Sequence, residues 1–449
     1  MIDSLLVANR GEIARRVLRT ARRLGLRTVA VHSDVDAGAL HVLEADQAVL
    51  LGPAPPAQSY LDVDAVLRAA RETGVAAVHP GYGFLSENAG FARAVRDAGL
   101  VWVGPDPEAI EQMGDKINAR NLMAAAGVPV AAGTAEPVGD VEQAVAEAAR
   151  IGYPLMVKAS AGGGGIGMSV AHDEAELRAA FETARSRAER FFGNPAILLE
   201  RYVERARHVE VQILGLADGR VVALGERDCS VQRRHQKVAE ETPSPGVEPA
   251  LRARMLAAAV RAGEAVGYRG AGTVECLVDT AAQEFVFLEM NTRLQVEHPV
   301  TEMVTGIDLV EQQLLVASGE PASFDPEGVA PQGHAIELRV YAEDPVRFLP
   351  GPGAISVWTE PTGTGVRVDS GYRAGDTVSP FYDPLMAKLI VHGADREQAL
   401  ARAREAVTGF VVEGPKCNLA FFPELLANPA FVSGDYDTGL VDRMRSRKP

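Results

Sequence analysis

Two stretches, Gly272-Thr273-Val274-Glu275-Cys276-Leu277-Val278 and Glu284-Phe285-Val286-Phe287-Leu288-Glu289-Met290-Asn291, follow one another along the chain. Both are rich in β-branched, aromatic and other apolar residues and read as strands of an antiparallel hairpin. A three-residue loop at Ala281, Ala282 and Gln283 sets Glu275 directly opposite Glu289 on one face. Like charges so placed are destabilising. A divalent cation between them removes the penalty, and hard oxygen ligands suit Mg²⁺ bridging nucleotide phosphates. Asn291, two residues beyond Glu289, offers a further oxygen. The plainer alternative is two solvated glutamates on an exposed sheet face.

Directly after the hairpin comes Asn291-Thr292-Arg293-Leu294-Gln295-Val296-Glu297-His298-Pro299. Read as an extended segment, it puts Asn291, Arg293, Gln295 and Glu297 on one face. A cation, an amide and a carboxylate side by side suit a small oxyanion with a base next to it. His298, before a proline, is read as a structural hydrogen-bonding histidine. Earlier, Lys158-Ala159-Ser160-Ala161-Gly162-Gly163-Gly164-Gly165-Ile166-Gly167-Met168 follows a strand. Four glycines leave backbone N–H groups free to wrap oxyanions, and Lys158 adds a point charge for phosphate. A Walker loop would place its lysine after the glycines, so this is a different phosphate device. A fourth segment, Glu226 to Lys237, is dense in polar and basic groups, including Gln232 and His235. It reads as an anion-binding turn lining a cleft, since it lacks the aromatic interleaving of a nucleic-acid patch.

Around these motifs the chain divides into units. Short apolar strands at Leu5–Ala8, Val29–His32, Ala76–His79 and Val101–Val103 alternate with helical patterns, which indicates an open parallel α/β sheet over residues 1–113. Ligands bind beyond the C-terminal ends of such strands. A helical linker occupies 114–130. Residues 131–203 carry the glycine loop between strands Leu155–Ala159 and Ala196–Glu200, the pattern of a lid. Longer, hairpin-like strands from 204 to 449 indicate an α+β unit.

Composition bounds the rest. The 449 residues are 47% hydrophobic and 23% charged, ordinary for a globular chain of about three domains. A net charge of −15 argues against nucleic acid or an anionic membrane as partner. Three cysteines without paired spacing give neither a disulfide framework nor a zinc site. With no signal-peptide pattern at the N-terminus and no apolar run long enough to span a bilayer, a reducing cytoplasm is expected.

Taken together, the motifs closely resemble the biotin carboxylase family of the ATP-grasp class, over essentially the whole chain. The resemblance is carried by Ala8-Asn9-Arg10-Gly11-Glu12-Ile13-Ala14, by His79 to Asn88, and by Met113-Gly114-Asp115-Lys116. It continues through the glycine loop, Glu226 to Lys237, Glu289 to Glu302, Arg339 to Pro345 and Tyr382 to Leu389. It implies an ATP-grasp fold with an N-terminal Rossmann-like domain, a lid and a C-terminal α+β domain. It also implies ATP- and bicarbonate-dependent carboxylation of biotin by way of carboxyphosphate.

By the same resemblance, Lys116, Lys158, Gly162, Gly163, Gly164, Gly165, Met168 and His208 hold ATP. Glu200, Arg201, Tyr202 and Val203 form the hinge against adenine, and Gln232 and His235 lie near ribose and phosphates. Glu275, Glu289 and Asn291 take Mg²⁺ or Mn²⁺. Lys237, Arg293, Gln295 and the Val296 backbone bind bicarbonate, Glu297 is the general base, Arg339 faces the biotin ureido oxygen, and Tyr82 borders the biotin pocket. A biotin carboxyl carrier protein and a carboxyltransferase are the implied partners, the chain itself being a homodimer in acyl-CoA carboxylation and fatty acid biosynthesis. Two other readings compete: an ATP-grasp carboxylase of another nitrogen nucleophile such as urea, and a weakened ATP-binding subunit. The second is prompted by Ile166 and Ser169, where the family carries basic residues.

Overall fold

The computed structural model describes residues 2–134, 136–159, 168–192 and 195–446. The candidate phosphate-binding glycines Gly162 to Gly165, and Ile166 with them, lie outside the described residues.

Five short parallel strands form the first sheet, in the order Gln47–Gly52, Arg27–Ser33, Ser4–Val7, Ala77–His79, Val101–Trp102. The central strand is apolar after Ser4, with Leu5, Leu6 and Val7 buried, because both faces are covered. Leu5 and Val7 pack with Ile13, Val17 and Leu18 of the helix Gly11–Arg23. Leu6 packs on the opposite side with Val66 and Ala69 of the helix Val63–Thr73. The expected strands lie within one or two residues of the observed ones. The edge strand Gln47–Gly52 carries no sequence signal, because its half-exposed side chains impose no clean period. At the C-terminal ends of the central strands, Asn9 Nδ2 donates to the carbonyls of Pro80 and Tyr82, each at 2.7 Å. Gly81 has φ +64, and a Cβ there would meet Asn9 Nδ2 at 2.9 Å. Only glycine fits this turn, which ties two loops together where the parallel sheet presents ligands.

The second sheet is antiparallel and holds eight strands. Their order is Glu284–Asn291, Gly270–Asp279, Ala206–Gly215, Val221–Arg233, Gln236–Thr242, His334–Tyr341, Leu385–Gly393 and Val366–Ser370. One face is apolar: Val209, Val211, Val274, Cys276 and Val278 pack on Leu251, Met255 and Ala259 of the helix Pro249–Ala265. The other face carries the polar residues that alternate with them.

Glu275 does stand directly opposite Glu289, but not for the expected reason. The connection has four residues, Thr280 to Gln283, closed by the pair Asp279 and Glu284. Unrelieved, that register would set Glu275 against Leu288. A β-bulge at Leu288 absorbs the extra residue and restores the acid pair. The segment Glu226–Lys237, expected as a turn, differs in shape. It is itself a hairpin, with strand to Arg233, strand again from Gln236, and a two-residue connection of Arg234 and His235 at φ 47 and 65. Two positive φ values suit the twist of a tight hairpin, and no Asn-Gly signal announced it.

A third unit has three strands in the order Ser169–Ala171, Leu155–Ala159, Ile197–Arg201. Helices Val141–Ile151 and Glu174–Phe192 cover it, and its core contains Leu155, Val157, Leu177, Phe181 and Leu199. The chain enters this unit past Pro129, whose carbonyl accepts from Phe287 N at 2.7 Å, on the strand that bears Glu289.

Candidate active site

The polar face of the antiparallel sheet carries a row of charge. Glu289, Glu275, Glu210 and Arg227 are successive partners across four adjacent strands. Glu210, missed in the sequence, was signalled by the alternation His208-Val209-Glu210-Val211-Gln212. Arg227 is fully buried and answers Glu210, its Nε donating to Oε1 at 2.6 Å.

Lys237 is the centre of the cluster. Its Nζ donates to Glu210 Oε2 at 2.6 Å, Glu297 Oε1 at 2.7 Å, Glu275 Oε1 at 2.8 Å and Gln295 Oε1 at 3.2 Å. A buried ammonium with four oxygen partners resolves a site otherwise overloaded with negative charge. Burial pushes the Glu297 carboxyl up, but Lys237, Arg339 and Arg227 outweigh it and hold it well below the usual carboxylate range. Glu297 is therefore ionised. Arg339 NH2 reaches it at 3.0 Å, and Cys229 Sγ, unforeseen in the sequence, lies 3.8 Å from its Oε1.

The metal-ligand candidates meet at the outer strands. Glu275 Oε2 is 2.8 Å from His208 Nε2, and Glu275 Oε1 accepts from Asn291 Nδ2 at 2.9 Å and Gln295 Nε2 at 3.0 Å. Burial opposes a charge on His208, yet Glu275 raises its pKa above the ordinary histidine value. Gln232 Nε2 contacts its other ring nitrogen at 2.8 Å. Glu289 forms no ion pair with the described residues. Burial, then the charge of Glu275, pushes its carboxyl up, and Lys116 only partly offsets this. His208, Glu210 and Glu275 bring ligand atoms within 4.8 Å of one another, a group that excludes Glu289. Lys237 already fills that inner group, so a cation fits the outer seat, where Glu289 has no ion-pair partner among the described residues. Two carboxylates and the Asn291 amide oxygen are hard donors of the kind Mg²⁺ takes.

The segment after the hairpin is not extended to Glu297. The strand ends at Asn291, and the helix His298–Thr305 begins directly after Glu297, with Pro299 in its first turn. Gln295 and Glu297 nevertheless turn into the cluster. Arg293 donates through NH2 to Asn291 Oδ1 at 3.1 Å and through Nε to Glu87 Oε2 at 2.8 Å. Glu87 lies 206 positions away, beyond any sequence pattern. His298 is the structural residue expected, its Nδ1 2.7 Å from the Gln295 carbonyl.

Other candidates sit around this centre. Tyr82 donates its hydroxyl to Glu12, Glu12 pairs with Lys388 at 3.1 Å, and Lys388 Nζ donates to the Val296 carbonyl at 2.9 Å. This chain joins the parallel sheet to the Glu297 loop. Lys158 pairs with Glu200 at 2.6 Å inside the three-stranded unit, and Met168 stands just before its first strand in the sheet order. Arg201, Tyr202 and Val203 line one wall of a groove of about 540 Å³, faced by Leu277, Phe285 and Val286. His235 is exposed at its hairpin tip and joins none of these contacts.

A parallel α/β unit, a three-stranded unit carrying a lysine and an antiparallel sheet bearing paired carboxylates define an ATP-grasp enzyme. Residues 1–110 match the family described as biotin carboxylase, N-terminal domain. Residues 115–324 match the carbamoyl-phosphate synthase L chain, ATP binding domain, and 337–443 the biotin carboxylase C-terminal domain. The biotin carboxylase of Halalkalibacterium halodurans is 52% identical over 441 residues, 98% of this chain and 97% of that one. That of Pseudomonas aeruginosa is 49% identical over 99% of this chain and 98% of its own. A solved structure of biotin carboxylase from Campylobacter jejuni, a nucleotide complex, matches with TM-score 0.95 at 42% identity, covering 99% of each chain. The biotin carboxylase domain dimer of Hydrogenobacter thermophilus 2-oxoglutarate carboxylase, bound to MgADP and bicarbonate, matches at 0.93 and 41% over 99% of this chain and 98% of that one. The chain belongs to the biotin carboxylase family.

Proposed function

We propose that this chain uses ATP to carboxylate biotin carried on a biotin carboxyl carrier protein, with bicarbonate as the carbon source. The observation that carries this reading is the ionised Glu297 held between Lys237 and Arg339 in one buried cluster. Bicarbonate entering the cluster takes over donors from Lys237, Arg293 and the Val296 backbone. With Lys237 drawn to bicarbonate, Glu297 becomes basic enough to accept the bicarbonate proton. The deprotonated oxygen attacks the γ-phosphorus of ATP and ADP leaves, giving carboxyphosphate. When bound at Glu275, Glu289 and Asn291, Mg²⁺ or Mn²⁺ supplies charge neutralisation on the phosphates. Lys116, Lys158, Gly162 to Gly165, Met168 and His208 hold the nucleotide, with Gln232 and His235 towards ribose and phosphates. Glu200 to Val203 hold adenine, the groove beside them offering the apolar wall. Carboxyphosphate yields CO₂ and phosphate, phosphate takes the ureido proton, and Arg339 holds the ureido oxygen while the nitrogen attacks CO₂. Tyr82 borders that pocket.

The working divisions are 1–113, 114–130, 131–203 and 204–449. A carboxyltransferase takes the product onward, in acyl-CoA carboxylation of the kind used in fatty acid synthesis. The chain works as a homodimer in the cytoplasm. No helix among the described residues is long and apolar enough to cross a membrane. An assay with free biotin, bicarbonate, ATP and Mg²⁺ tests the reading. ADP release stimulated by biotin is expected; stimulation by urea and not biotin would replace biotin by another nitrogen nucleophile, and nucleotide binding without turnover would leave only a binding subunit.

A further inference from the structure

Behind Arg339 lies a second pair of carboxyls. Glu240 on the strand Gln236–Thr242 is directly opposite Glu337 on the strand His334–Tyr341. Directly opposed residues of antiparallel strands share a face, about 4.5–5.5 Å apart at Cβ. Glu240 is 1% exposed and Glu337 is 0% exposed. Neither oxygen of Glu337 has a hydrogen-bond partner among the described residues, and Glu240 has only the Arg339 contact given below. Arg339 follows Glu337 by two residues on the same strand, so it shares that face, and its NH2 lies 2.5 Å from Glu240 Oε1. The same nitrogen reaches Glu297 Oε2 at 3.0 Å. Lys388, the cross-strand partner of Arg339, is committed to Glu12 and to the Val296 carbonyl. Lys237 is committed to Glu210, Glu275 and Glu297. The charged groups facing the pair are thus Arg339, Lys388, Lys237 and Glu297, and no cation among them is left for Glu337.

Two opposed, dehydrated carboxylates with one cation between them cannot both stay ionised. We propose that Glu240 and Glu337 hold one proton between them at neutral pH, with Glu337 donating to Glu240 and thereby fixing Glu240 against the Arg339 nitrogen that also reaches Glu297. Burial pushes the Glu337 carboxyl well above its ordinary range, and burial with Glu297 pushes Glu240 up to about 7, so the proton belongs to Glu337. Both are positioning residues. They keep the guanidinium aimed at whatever oxyanion Arg339 holds, which, on the function proposed above, is the ureido oxygen of biotin.

Infrared difference spectroscopy in D₂O at neutral pH reads the proton without reference to any substrate. Wild type minus Glu337→Gln is expected to show the C=O stretch of a protonated buried carboxylic acid. Absence of that band overturns the proposal, whether or not biotin is the substrate. The positioning role is read by a KM-against-kcat split. Glu337→Gln, whose amide can replace the O–H donor, should keep its KM for free biotin within about threefold of wild type, whereas Glu337→Leu should raise it about tenfold or more with KM for ATP unmoved. Equal KM values for the Gln and Leu variants would overturn the positioning role, and the Gln variant covers the case in which the Leu variant does not fold.

Discussion

Lys388 Nζ donates to the carbonyl oxygen of Val296 at 2.9 Å from a side chain with no exposure to solvent. The same ammonium pairs with Glu12 at 3.1 Å, so one charge holds the loop bearing Glu297 against the first helix of the parallel unit. Lys388→Met keeps the length of the side chain but strands Glu12 as a buried, unpaired carboxylate. Removing one partner of such a pair costs about 3–5 kcal/mol. Urea unfolding should show that loss, and biotin carboxylation should fall with it; a midpoint equal to wild type would mean Glu12 is neutral or solvated.

Glu297 carries the base role. Glu297→Gln removes the base but keeps the shape, and its single amide oxygen can accept from only one of Lys237 and Arg339. Bicarbonate-dependent ATP cleavage should fall by about 10²–10⁴-fold, the range for loss of a general base. ADP release at the wild-type rate would remove Glu297 from the chemistry.

Glu289 is the uncompensated member of the acid row. Its folded pKa is raised, first by burial and then by Glu275. The sign follows directly: stability is fullest below the unfolded carboxyl pKa and is lost as pH rises through the folded value. Without metal at pH 8, Glu289→Gln should therefore be more stable than wild type, by roughly 0.2–1 kcal/mol for removal of an opposed like charge. Added Mg²⁺ should stabilise wild type more than the variant. A Tm gain from Mg²⁺ equal in both proteins would place the cation elsewhere.

Glu241 behaves in the opposite sense. Burial alone would raise its carboxyl, but His334 at 2.6 Å and Arg396 at 2.7 Å lower it from 4.5 to about 2. A depressed folded pKa gives stability that is full above the unfolded pKa and lost as pH falls towards 2. The shift corresponds to about 3 kcal/mol at neutral pH. Wild type should lose its advantage over Glu241→Gln between about pH 5 and pH 2, seen as converging urea midpoints. A constant gap across that range would refute the linkage.

By the family resemblance, Ile166 stands where a basic residue is usual. Restoring charge with Ile166→Arg should tighten ATP binding and speed coupled turnover, by up to about tenfold for one added charge-assisted contact of 1.4 kcal/mol. Unchanged ATP affinity and rate would show that charge at this position is immaterial.

What the sequence made legible depended on range. The two apolar, β-prone runs bearing Glu275 and Glu289 announced the hairpin, and the polar residues from Asn291 to Glu297 announced the site, because both are local. The loop length came out one residue short, since a bulge at Leu288 leaves no mark in composition. The strand reading overran Asn291 because alternation continues into a segment that Pro299 converts to helix. Glu87, Glu240 and Lys388 were silent: each meets the site from far along the chain, and a buried charge looks like a surface charge until its partner is known. The edge strand Gln47–Gly52 was silent for the converse reason, as an edge buries too little to impose a pattern.

The bulge at Leu288 separates two properties that a regular ladder would lock together. Excising Leu288 would straighten the ladder yet leave the two acids face to face, so partnership survives a length change there. Direction does not: the bend that the surplus residue imposes on the strand aims the Glu289 carboxylate, and it would vanish with it. The protein thus carries an insertion whose value lies in orientation, placed one residue before the group it steers.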